Sequence, residues 1–258
     1  MVFNEPILRF FNLHHPNKTK PYSIKYRNKY INLINNQIML SDSQIEINKQ
    51  EYLRLLGTVK REGIDKLIEW LTDPNSCDFF TAPSSSVYHG NYKGGLCEHS
   101  LNVYKCLIKL RDMYDKMMPE FGKTPVKYSD EQCIIVALLH DLCKVLYYVP
   151  TEKFYKDDYN QWQKYIGYTV KDQFPFGHGE KSCFLIQRFM MLTGVEALAI
   201  RWHMGYEKSG LHIDSTEKKS IGDAWNIAPI AYLLHQADSM SAFLIEDMIE
   251  PKNANRNI

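Results

Sequence analysis

From Asn48 onward, apolar residues recur along this chain at the spacing of amphipathic helices. Leu53, Leu56, Val59, Ile64, Leu67, Ile68 and Leu71 predict helix from Asn48 to Leu71, with Gly57 and Gly63 as interruptions and Asp73-Pro74 as its end. A second stripe of Leu96, His99, Val103, Leu107, Leu110 and Tyr114 predicts a helix over about 96–116. Ser129 and Gln132 have capping-box spacing and open the most apolar run of the chain, Cys133 to Leu139. Further helices are expected over 179–192 and 195–204, the latter capped by Thr193 and Glu196 and ended by Gly205. Pro229 fits the start of a last helix reaching about Met248. Residues 148–177 read as a hairpin or long loop, and 206–225 as a polar loop. Residues 1–45 mix aromatic and β-branched runs with Asn, Lys and Pro, which predicts short strands or an irregular arm. The expectation is an all-α core over 46–258 preceded by that arm.

Bulk properties narrow the picture a little. A chain of 258 residues, 45% hydrophobic, can bury the core of one large domain, alone or with a small appendage. Its net charge of +1 disfavours long-range attraction to nucleic acid or membrane, although a local basic pocket remains compatible with it. No apolar stretch reaches the roughly 18 residues of a membrane span, and no signal-peptide pattern opens the chain. Six cysteines with no CxxC pair argue against a disulfide framework. A cytoplasmic protein is expected.

The chemistry begins where the apolar run ends. His140 and Asp141 follow Leu139 directly, and Lys144 lies three residues beyond Asp141. Two ionisable groups closing a buried helix need compensation. Four residues elsewhere fit the same need: His99 on the apolar stripe, His178 before a helix, His203 at a helix end, and Asp238 with Leu234 and Ala242 on its face. Each alone reads as an ordinary hydrogen-bonded core residue. An inward imidazole or carboxylate on each of five helical segments reads as a metal site.

With these residues in order, the chain resembles the HD-domain superfamily of metal-dependent phosphohydrolases. The added histidines resemble its bimetallic branch. The wording of Gly94-Gly95-Leu96-Cys97-Glu98-His99, His140-Asp141-Leu142-Cys143-Lys144, Gly177-His178-Gly179-Glu180-Lys181, Arg201-Trp202-His203 and His235-Gln236-Ala237-Asp238 is similar to the HD modules of bacterial 3′→5′ exoribonucleases. The cyclic-dinucleotide branch fits poorly, since no Gly-Tyr-Pro follows His203. The resemblance implies an HD-type helical core and two divalent transition-metal ions. One would take His99, His140, Asp141 and Asp238; the other would take His178 and His203, with Asp141 bridging. Imidazole and carboxylate ligands suit Mn, Fe, Co, Ni or Zn alike. Cys97 and Cys143 adjoin ligands, but helical geometry is expected to turn them to other faces.

The activity implied is hydrolysis of a phosphomonoester or phosphodiester of a nucleotide or short nucleic acid by metal-activated water. Lys144 fits either a contact to a phosphate oxygen or a solvated helix end, Lys181 either a similar contact or the surface, and His89 either a substrate contact or a plain loop residue. His235 fits support of the site better than ligation. His212 reaches the second metal only if its loop folds inward, and His14 and His15 are expected at the surface. Arg201 and Trp202 are explained by packing. RNA is a possible partner through Lys18, Lys20, Lys25, Arg27 and Lys29 among Tyr22, Tyr26 and Tyr30, or that arm simply packs on the domain. No membrane partner is expected, and the oligomeric state is open. The competing enzyme class keeps the same six ligands: the mixed di-iron oxygenase type exemplified by myo-inositol oxygenase.

Overall fold

The computed structural model describes residues 40–206 and 215–250. Most of the expected N-terminal arm, with His14, His15 and its lysines, lies outside them, as does His212. Residues 42–45 belong to the first helix rather than to an arm. Ser41 caps that helix by accepting a hydrogen bond from the Gln44 N–H, which moves its start ahead of Asn48.

Helix α1 spans Asp42–Leu56 and α2 spans Ile64–Thr72. The first ends at its cap Gly57, and the second starts behind Gly63, whose φ of 87° is left-handed. A Cβ there would also lie 1.8 Å from the Phe189 carbonyl oxygen. Among the described residues, helix α3, Gly95–Glu120, is the longest, and α4, Asp130–Leu139, is the most buried. The Ser129–Gln132 capping box forms as expected. Every residue from Cys133 to Leu139 is buried, so beyond its first turn α4 has no polar face and sits among α1, α3 and α6. The Tyr52 hydroxyl donates to the Leu138 carbonyl at 2.9 Å, satisfying one of the carbonyls left open at the end of that helix.

A 3₁₀ turn, Leu142–Lys144, leads into an antiparallel hairpin of β1, Tyr148–Lys156, and β2, Trp162–Val170. Its register runs from Tyr148 opposite Val170 to Lys156 opposite Trp162. The Asp157 carboxylate accepts from the Tyr159 and Gln161 N–H groups and shapes the turn. Helix α5 covers Gly179–Gln187, shorter than expected, and α6 covers Gly194–Arg201 behind the Thr193–Glu196 capping box. The expected polar loop over 206–225 is corrected by α7, Ser215–Ile227. Its sequence is polar enough to hide the helical period, but Ile221 and Ala224 are buried and the helix packs on α8. Helix α8 begins at Pro229 as expected and ends at Met240, not Met248. A π-helical turn, Ser241–Ile245, follows, and its Phe243, Leu244 and Ile245 are exposed rather than part of the core.

The expected all-α core is therefore present, with one small β element. Among the described residues no helix is long and apolar enough to cross a membrane. All six cysteines are free.

Arg61 ties three segments together. Its guanidinium bonds both oxygens of Glu196, at 2.7 and 2.6 Å, and reaches Glu131 at 3.0 Å. Glu196 is fully buried and at the same time caps α6. Removing the arginine leaves that carboxylate desolvated and unpaired. Arg61→Ala is expected to lower the unfolding free energy by about 3 kcal/mol, measured by urea denaturation. A loss below about 1 kcal/mol, the size of an exposed pair, would refute this role.

Candidate metal centre

The sequence-predicted ligands meet because helix ends meet. His140 is the residue after the last turn of α4, Asp141 precedes the 3₁₀ turn, His178 precedes α5, and His203 follows α6. His99 lies in the second turn of α3 and Asp238 in the last turn of α8. The long α3 packs on both α4 and α8, and α6 packs on α5 and α8. Gly179 permits the approach of α5 to α6, since a Cβ at that position would fall 2.4 Å from the Arg201 carbonyl oxygen. A glycine there lets His178 and His203 stand with ring centroids 5.1 Å apart.

Asp141 is the hub. Its Oδ1 lies 2.9 Å from His178 Nε2 and 3.6 Å from His203 Nε2. Its Oδ2 lies 3.4 Å from His140 Nε2, 3.5 Å from His99 Nε2 and 2.6 Å from Lys144 Nζ. Asp238 Oδ1 approaches His99 Nε2 at 3.1 Å. Asp141, His99, His140 and His203 are buried, while His178 is about one-third exposed and opens the cluster to solvent.

Hydrogen bonding fixes which ring nitrogens face the centre. Backbone carbonyls only accept, so His140 Nδ1 must donate to Ala137 at 2.8 Å and His203 Nδ1 to Ile200 at 2.7 Å. His99 Nδ1 is held by the Glu246 carboxylate at 3.0 Å. In the neutral rings, Nε2 is then a lone pair in each. His99 and His140 aim theirs at one another across 3.3 Å, and His203 Nε2 is buried with no hydrogen-bond partner. Lone pairs and carboxylates converge here with a single ammonium among them. That donor set suits a divalent cation. Overlapping groups of His99, His140 and Asp238, of His140, Asp141 and His203, and of Asp141, Cys143 and His178 each bring three ligand atoms within 4.8 Å of one another.

The electrostatics agree. Burial pushes the Asp141 carboxyl up, but Lys144 and His140 more than reverse it and hold the group well below the ordinary carboxylate range. Asp238 is likewise lowered against its burial, by His99. Burial alone would keep His99 neutral, yet Glu246 and Asp238 outweigh it and push its pKa up to about 10. Desolvation lowers His140 and His178. Three carboxylates, Asp141, Asp238 and Glu246, face the Lys144 ammonium and a His99 ring that Glu246 and Asp238 favour in its protonated form, so the site draws positive charge.

Other expectations resolve residue by residue. Lys144 is not a solvated helix end, because its ammonium is largely buried on Asp141. Lys181 is buried as well, paired with Asp172 at 2.6 Å and lying over the Tyr147 ring. His89 sits beside the cluster, its Nδ1 2.8 Å from Glu246 and its ring 4.8 Å from that of His99. His235 donates from Nδ1 to the His203 carbonyl at 2.7 Å. Arg201 stacks on Trp202 and pairs with Glu180. Cys97 stays in the core. Cys143 does not face away: Sγ lies 3.3 Å from His178 Nδ1 and 4.0 Å from Asp141 Oδ1. The expectation assumed that α4 continues, whereas residues 142–144 form a tighter turn.

Glu246 is the residue that sequence reasoning missed. Its side chain is buried and accepts from His99, His89, Asn102 and Ser241. It follows an exposed apolar turn with no motif around it, so no local signal marks it.

The chain is 28% identical over 123 residues to the dihydroneopterin 2′,3′-cyclic phosphate phosphodiesterase of Methanocaldococcus jannaschii. That stretch covers 44% of this chain and 47% of the relative, so the chain spans about half the length of the curated protein it matches. No family model matches the chain, and no solved structure does.

Proposed function

We propose that this chain is a metal-dependent phosphohydrolase. It would cleave a phosphomonoester or phosphodiester bond of a nucleotide or short nucleic acid, using two divalent transition-metal ions held by the His/Asp cluster. The observation that carries this reading is the convergence on one buried point of three imidazole Nε2 atoms, two of them fixed as lone pairs by backbone carbonyls, and two carboxylates. The likeness to a phosphodiesterase supports phosphorus–oxygen hydrolysis, and that relative's name makes a small cyclic phosphodiester a natural substrate to try first. Localisation in the cytoplasm, RNA as a partner and the wider resemblance to the HD superfamily remain part of this proposal.

In this reading His99, His140, Asp141 and Asp238 hold one ion. His178 and His203 hold the other, and Asp141 serves both. Such ions, when bound, act as Lewis acids and lower the pKa of water to near neutrality. The protein's residues do the rest. The second-row carboxylate Glu246 fixes the His99 ring through Nδ1, a support that typically changes metal affinity 10–100-fold. Lys144 keeps a cation beside Asp141, where a phosphate oxygen can share its ammonium. Its pKa, lowered by burial but raised more by Asp141, stays above the ordinary lysine value, so it serves as a charge and not as a base. His89 stands at the rim of the cluster as a substrate contact. Lys181 can reach a phosphate only by leaving Asp172.

Three outcomes test the proposal. Replacing both His178 and His203 by Ala should leave about one metal per chain by elemental analysis, while Asp141→Ala should lose most of both. A single ion in the unaltered protein, untouched by the double change, would sink the two-metal model. Lys144→Ala should retain metal and fold but lose roughly 10²-fold in kcat/KM on whichever phosphate ester proves active; full activity would assign the lysine to structure alone. Finally, hydrolysis should proceed under strict anaerobiosis at the rate seen in air and with redox-inert Zn. Iron-specific oxygen uptake on a polyol or phosphonate, with no phosphate ester cleaved, would instead assign the protein to the di-iron oxygenase type.

A further inference from the structure

We infer that Cys143 is a thiolate ligand in this centre, joining Asp141, His178 and His203 to make one of its two positions a mixed sulfur, nitrogen and oxygen site. The inference rests on the proposal that the cluster holds metal and concerns which atoms hold it.

Four observations support it. The backbone N–H of Cys143 donates to the buried Ser182 Oγ at 3.0 Å, which pins the turn and with it the direction of the side chain. The sulfur is thereby brought next to two residues already expected to ligate. Its distances are 3.7 Å to His178 Nε2 and 4.0 Å to Asp141 Oδ1, while those two atoms are 2.9 Å apart. Metal–nitrogen and metal–oxygen bonds near 2.0 Å and metal–sulfur bonds near 2.3 Å give tetrahedral ligand pairs about 3.3–3.8 Å apart. The observed edges lie within about half an ångström of that range. Near the same Asp141 Oδ1, at 3.6 Å, stands His203 Nε2, fully buried and without a hydrogen-bond partner. A nitrogen lone pair so placed is itself an independent sign of a cation at that position.

The alternative role for the sulfur is a hydrogen bond to His178 Nδ1, at 3.3 Å. That bond satisfies the ring but leaves His203 Nε2 orphaned; a shared ion satisfies both. Without a cation, a thiol this buried keeps its proton. Ligation forms the sulfur–metal bond and releases that proton to solvent. The chemical consequence is selectivity. A soft thiolate favours Zn, Fe or Co over Mn at this position, where an all-nitrogen and oxygen set would discriminate less.

The test uses the full chain, stripped of metal by chelation and refilled with Co(II) without oxygen. The expected result is a sulfur-to-cobalt charge-transfer band in the near ultraviolet. Cys143→Ser should abolish the band while keeping the cobalt d–d bands, and Cys97→Ser should leave it unchanged. The Ser variant should also lose about tenfold or more of its preference for Zn over Mn in competition. Cobalt bound by the unaltered protein with d–d bands and no thiolate band would overturn the inference and leave the metal reading standing. Persistence of the band in Cys143→Ser would overturn it equally, by assigning the sulfur elsewhere. Failure of the unaltered protein to take up cobalt would overturn the metal reading and this inference together.

Discussion

A carboxylate with almost no access to water must be neutralised by what surrounds it, and Asp141 is where that requirement shapes the molecule. Its side chain is about 2% exposed; four imidazoles stand around it, and the Lys144 ammonium is the largest influence holding it in the charged form. Desolvating such a group without partners costs several kcal/mol. Each partner arrives from a different segment: α3, the end of α4, the 3₁₀ turn, the start of α5 and the end of α6. The relative placement of these segments is thus coupled to the charge state of one residue.

Helix ends suit this task for a physical reason. A residue past a terminus is free of the i, i+3, i+4 geometry and can turn its side chain inward, while a carbonyl of the last turn is open to accept its ring N–H. His140 and His203 use the same arrangement, each donating from Nδ1 to the carbonyl three residues back. Backbone therefore sets the tautomer, and Nε2 faces the centre without help from another side chain. His99, in the body of a helix, lacks that option and depends on Glu246.

This division explains what was legible in the sequence. The capping boxes at Ser129 and Thr193, the Pro229 start and the six candidate ligands could be read because each depends on residue type and short spacing. The fully buried α4 was legible as a uniformly apolar run. Helix α7 was not, because only a few of its positions are apolar and its burial comes from docking on α8. The orientation of Cys143 hinged on whether α4 continues beyond His140, and the turn that replaces it donates its Cys143 N–H to the distant Ser182 hydroxyl. Glu246 was invisible for the same kind of reason: its partners lie some 150 positions away in sequence, at His89 and His99.

That last contact also gives the C-terminal segment a structural purpose. Residues 246–249 are joined to the loop before α3 by four contacts: Glu246 with His89, Gly90 N–H to the Asp247 carbonyl, and the Asn91 side chain with both backbone groups of Ile249. The π-helical turn before Glu246 leaves its apolar side chains in solvent, so packing of that turn does not hold the segment. Hydrogen bonds to the loop do, together with the charge on Glu246. Because the same carboxylate orients His99, the segment's position and the geometry of the first ligand are coupled. A carboxylate lowered so strongly against its own burial is retained through those neighbouring donors, with His99 the largest of them. Displacing the segment would remove the acceptor for His99 Nδ1, free the ring to rotate and expose His89. Whatever enters the cluster from the His178 side thus meets a centre whose far wall is built by the last described residues of the chain.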